Sequence, residues 1–184
     1  MAIYNVLIAL DVDQMIKKYE QQTATKERPL RIQDNYIHLL LVNKDGQVID
    51  QGGSKLSLNG IAVGDKIMWR TVSLSKYNTP NSVMQLDYKS NNKASLIETP
   101  VLNKMICLRP IVVNTDPVEI GSQEIPGYYW SAEVLEAGGL YEQIYNATFV
   151  IYDNKAKPYK YFLWNHIVSL GDIKDIYKVF IYRL

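Results

Sequence analysis

At 184 residues, 47% hydrophobic and 21% charged, the chain is long enough for one domain with a sizeable core, and a second domain would have to be small. A formal net charge of +1, from 20 basic and 19 acidic residues spread along the sequence, excludes the electrostatic footprint of a nucleic-acid or membrane-surface binder. The single cysteine, Cys107, excludes an internal disulfide, and with no histidine or second cysteine near it in sequence it reads as a buried apolar side chain rather than a reactive thiol.

Ala2 to Leu10 is an apolar run of strand length ended by Asp11-Val12-Asp13. It has no basic flank or small-residue cleavage site, and no stretch approaches the roughly 20 apolar residues of a membrane span, so a cytoplasmic location is expected. Gln14 to Gln22 places Met15, Ile16 and Tyr19 at helical spacing, with Asp11 and Gln14 as a capping pair. Thr23 to Asn35, polar and with Pro29, reads as a loop crossing between sheets or over an edge.

Tyr36 to Val42 and Gln47 to Gln51 flank Asn43-Lys44-Asp45-Gly46, a hairpin signal because Asp-Gly supplies the positive φ angles of tight turns. Leu56 and Leu58 mark a short edge segment, Gly64-Asp65 a turn, and Lys66 to Ser75 a strand with at least one buried face. Val83 to Tyr88 reads as a strand within the polar stretch Asn78 to Asn92. From Ala94 to Val113 the apolar pieces are interrupted by Pro100 and Pro110, and Asn114 to Gly127, with Pro117, Gly121 and Pro126, reads as loop; two short strands at most are expected there. Tyr128 to Leu135 is another strand, broken by Gly138-Gly139.

Tyr141 to Tyr152 and Tyr159 to Leu170, joined by Asp153 to Pro158, form the central feature, a β-hairpin with Pro158 at the start of its second strand. Alternation puts Tyr145, Ala147, Phe149 and Ile151 on the core side. Apolar residues on both faces of the second strand mark it as central or covered. Ile176 to Tyr182 reads as a last strand. The sum is an all-β chain, a β-sandwich (Ig-like or jelly-roll-like) of roughly eight to ten strands with one short helix, in a single domain over residues 1–184.

No phosphate loop, nucleophile elbow or metalloprotease motif appears, and His38 and His166 lie far apart, so no catalytic residues and no enzyme activity are expected. Asp11 and Asp13 sit at a strand end, where hard cations such as calcium are often held, but helix capping accounts for them first, so no metal or cofactor is expected. Trp69, Trp130 and Trp164 fall in predicted strands and read as core; an exposed one would suggest stacking on a sugar or a partner chain. Fourteen tyrosines against three phenylalanines suit both sheets and surfaces that meet other molecules.

Three blocks, VLIALDVD (Val6 to Asp13), VGDKIMWRTVSLS (Val63 to Ser75) and YNATFVIYDNKAKPYKYFLWNHIVSL (Tyr145 to Leu170), fall in the order and spacing of the PixA inclusion-body protein family, which also includes the AidA proteins. The chain resembles that family over nearly its whole length. The resemblance implies a small cytoplasmic bacterial β-sandwich protein, of a kind in which some members form crystalline inclusions, others are linked to quorum-regulated behaviour towards hosts, and the inclusion protein has been likened to bacterial lectins. The family's tyrosine and Trp-Asp-Pro in the last block are matched here by Tyr161 and Trp164, whereas Asn165-His166 replaces the Asp-Pro.

Two functional expectations follow. The first is a non-enzymatic, self-associating cytoplasmic protein, a homo-oligomer without nucleic-acid or membrane partners. The alternative is a carbohydrate-binding module in which Trp164 stacks on a glycan and Asp11, Asp13 and Asn165 hold its hydroxyls, directly or through calcium.

Overall fold

The computed structural model describes residues 1–76, 81–92, 95–137 and 141–170. The elements, in chain order, are β1 (Ile3–Leu10), α1 (Val12–Lys18), β2 (Leu30–Arg31), a 3-10 turn (Asp34–Tyr36), β3 (Ile37–Val42), β4 (Val48–Asp50), β5 (Lys55–Leu58), β6 (Lys66–Ser73), β7 (Ser82–Ser90), β8 (Val101–Thr115), β9 (Val118–Glu133), β10 (Tyr141–Tyr152) and β11 (Pro158–Leu170). They build two sheets, one ordered β4-β3-β1-β6-β9-β8 and the other β2-β11-β10-β7 with β5 also on β11. The expected all-β sandwich is present, with eleven strands rather than eight to ten among the described residues. Both sheets are mixed, because β1 runs parallel to β6 and β11 runs parallel to β2 and β5.

The core lies between the sheets and follows from strand alternation. Tyr4, Val6, Ile8 and Leu10 of β1 point inwards with Ile37, Leu39 and Leu41 of β3 and with Ile67 and Trp69 of β6. They meet Tyr145, Ala147, Phe149 and Ile151 of β10, the expected core set, and Phe162, Trp164 and Val168 of β11. Each large side chain so buried contributes about 1.5–3 kcal/mol.

Asp11 caps α1, its Oδ1 accepting the Gln14 N–H at 3.1 Å, while Val12 and Met15 turn into the core. Just past the other end of the helix, the buried Lys160 ammonium donates to the carbonyls of the C-cap Tyr19, of Glu20 (2.9 Å) and of Gln22 (3.1 Å), which ties the chain leaving α1 to β11.

Two hairpin turns share one design. In the first, Asn43 Oδ1 accepts the Asp45 and Gln47 N–H groups and only Gly46 takes a positive φ, 77°. In the second, Asp153 Oδ1 accepts those of Lys155 and Lys157, and Ala156 stands at the left-handed position with φ 56°.

The chain departs from expectation between Val101 and Glu133. In place of short strands and loops, β8 and β9 form one antiparallel ribbon of 15 and 16 residues, turned by Asp116-Pro117 through a cis peptide bond. The prolines that argued for loops are tolerated because, among the described residues, β8 pairs only with β9, and β9 pairs with β6 only from Trp130 to Glu133. Pro110 and Pro126 therefore turn their nitrogens to the open edges, where no ladder bond is lost. Cys107, expected to be buried, is half-buried on this ribbon. The expected breaks and strand at Gly138-Gly139 and Ile176 to Tyr182 lie outside the described residues.

Candidate functional site

The four residues singled out from the sequence occupy three places. Asp11 and Asp13 come together at the start of α1, but Asp11 caps the helix and Asp13 Oδ2 accepts the Lys76 N–H at 2.8 Å. They line a shallow, open pocket with Lys17 and Lys76. Among the described residues, no group of three or more His, Cys, Asp or Glu side chains is placed to hold a metal ion.

Trp164 is fully buried between the sheets, its indole N–H shared between Gly53 O at 3.1 Å and Asp34 Oδ1 at 3.2 Å. Asn165, next along the strand, points to the outer face of the second sheet, opposite Asn146, which bonds reciprocally with Asn91. Alternation in β11 thus separates the tryptophan from the asparagine by the thickness of a sheet.

The histidines do not meet. His38 is exposed on β3, and His166 sits well inside β11, stacked on Trp164 at 3.8 Å and 9°. Its Nε2 shares a 2.7 Å hydrogen bond with the Tyr88 hydroxyl. Burial pulls the imidazole pKa down to about 3, so the ring is neutral, and burial raises the Tyr88 phenol well above its usual range. The neighbouring cavity, about 10 Å³, holds a single water at most. This is a packed aromatic core without substrate access.

The feature that sequence reasoning missed is the surface of the ribbon. Trp130 pairs with Trp69, whose side chain faces the core, so the ribbon's corresponding face continues the core side of the first sheet. Beyond that pair the ribbon parts from β6, and a cleft of about 320 Å³ opens between them, lined by Trp69, Val72, Met84, Leu102, Tyr128 and Trp130 among others. Farther out, the same face carries Ile106, Leu108 and Val112 on β8 and Val118, Ile120 and Tyr128 on β9, each between 47 and 71% exposed. Only Lys104, Ser122 and Glu124 interrupt it. These are core-type side chains on the side that continues from Trp130, and among the described residues no second sheet packs over them. The available signal was the alternation of Leu102, Ile106, Leu108 and Val112, obscured by apolar residues in the opposite phase and by the prolines.

No curated protein sequence matches the chain. Among solved structures, it is similar to an inclusion body protein of the PixA type from Burkholderia cenocepacia J2315, at 13% identity and a TM-score of 0.67, over 92% of this chain and 95% of that one. That likeness establishes the shared sandwich fold. Residues 2–170 match the family described as PixA, inclusion body protein, and by that match, which spans most of the sequence, the chain belongs to the PixA inclusion body protein family.

Proposed function

We propose that this protein is a non-enzymatic cytoplasmic protein that works by self-association. The observation that carries the reading is the exposed apolar face of the β8–β9 ribbon. Monomeric proteins rarely leave more than a few hundred Å² of contiguous apolar surface in water unless something binds there. A net charge of +1 and a sequence pI of about 7.7 weaken the repulsion that would keep copies apart near neutral pH. Membership of an inclusion-body family supports the same reading, and no helix among the described residues is long and apolar enough to cross a membrane.

Among the described residues, no geometry favours the carbohydrate-binding alternative, since Trp164 is sealed in the core and the Asp11 and Asp13 carboxylates are engaged with backbone N–H groups. Light scattering and sedimentation of the purified protein over a wide concentration range, at pH 6 and near the pI, test the proposal. Mass that grows with concentration, most steeply near the pI, is the expected result. A strict monomer throughout would overturn it.

A further inference from the structure

Self-association leaves open which surface does the work and in what geometry. Resting on that reading, we infer that two copies pair through the core-facing side of the β8–β9 ribbon, antiparallel about a two-fold axis near the Ile106–Pro126 rung, each ribbon supplying the sheet that the other lacks.

Area is the first argument. Ile106, Leu108 and Tyr128, at 71, 71 and 47% exposure, leave most of their apolar area open in the span that this register sets against the other ribbon, and Val112, Ile120 and Val118 carry the apolar strip on past its Leu102–Trp130 rung. A face of this kind packs on another at the sheet-to-sheet spacing of roughly 10 Å, as within the sandwich itself.

The edges give the second argument. Pro110 on β8 and Pro126 on β9 interrupt the row of donors on each open edge of the ribbon, which disfavours strand addition from the side and leaves face-to-face packing.

Charge then selects the direction. Lys104 and Glu124 lie on the apolar face, four rungs apart, because Lys104 pairs with Tyr128 and Glu124 with Leu108. Neither has an ion-pair partner among the described residues. A parallel arrangement would bring lysine to lysine and glutamate to glutamate. The antiparallel arrangement centred on Ile106 brings Lys104 of one copy level with the rung that holds Glu124 of the other, one strand spacing of about 5 Å to the side and within reach of a lysine. It also sets Pro110 level with Leu102 of the second copy and carries Val112 past it, to the mouth of the cleft at the root of its ribbon. The contact is isologous and closes on itself as a dimer.

Sedimentation velocity on four variants tests this. Leu108→Asp, at a 71% exposed position, leaves the circular dichroism spectrum unchanged and weakens the dimer by at least about 30-fold. Lys104→Glu and Glu124→Lys each weaken it by about tenfold, and the double exchange restores it. A monomeric wild type would overturn both this interface and the self-association reading. An associating wild type with an unaltered Leu108→Asp profile would overturn the interface alone. Failure of the double exchange to restore what each single change removes would overturn the antiparallel register.

Discussion

A histidine stacked on an indole, hydrogen-bonded to a buried tyrosine and closed off from water has to give up its proton to fold. For His166 the folded pKa is about 3 against an ordinary 6.5, so between those values the unfolded chain binds one more proton than the native protein. Stability is therefore full above about pH 6.5 and falls by about 1.4 kcal/mol per pH unit as pH drops towards 3. Tyr88, hydrogen-bonded to the ring and with its own pKa raised well above the usual range, stays neutral throughout and does not offset the loss. Asp65, whose carboxyl is held low chiefly by the Ala2 N–H, adds its own loss only at more acid pH. Urea unfolding at pH 7, 6 and 5 should show the wild type losing about half this amount between pH 7 and 6 and nearly all of it between 6 and 5, with a much flatter profile for His166→Gln.

At the scale of the element, the two hairpin turns make a matched experiment. Gly46 and Ala156 occupy equivalent left-handed positions beneath an Asx side chain, but the alanine has a Cβ facing the following carbonyl. That conformation costs an L-residue about 1–2 kcal/mol, partly offset by the extra unfolded-state entropy of a glycine. Ala156→Gly should stabilise the protein by about 0.5–1 kcal/mol, read as a rise in melting temperature, and Gly46→Ala should lower it by a similar amount.

The ribbon prolines are a device of the same scale. Restoring a donor to the open edge with Pro110→Thr should leave the fold intact and add lateral growth, seen as species larger than the dimer in light scattering. Prolines and glycines made this region read as loop, since edges left without a partner among the described residues are a tertiary fact that local pattern does not carry. Elsewhere local pattern sufficed: the Asp153 turn, the alternation from Tyr145 to Ile151 and the Asp11 cap all appear as expected, because each depends on residues within a few positions of one another. The candidate surface was the harder reading. An apolar face looks the same in sequence whether a second sheet of the same chain covers it or not, and Trp164 looks the same whether it faces a sugar or Gly53.

At the scale of the whole molecule, the two sheets interleave the ends of the chain. β1 pairs antiparallel with β3 and parallel with β6, while β11 holds β2 and β5 on one edge and β10 on the other. Short β2 and β5 read as loop and edge from the sequence because their partner lies more than a hundred residues away. That placement of β11 has a consequence in time. The strand begins 155 residues after β1 does, so a ribosome adding about 5–20 residues per second spends roughly 8–30 s between the two before the second sheet has its organising strand. Until then β1, β3 and β6 are made but uncovered, and the apolar ribbon is already out. A chain made in quantity passes through that interval in many copies at once, and each must reach its own β11 before a neighbour's ribbon reaches it.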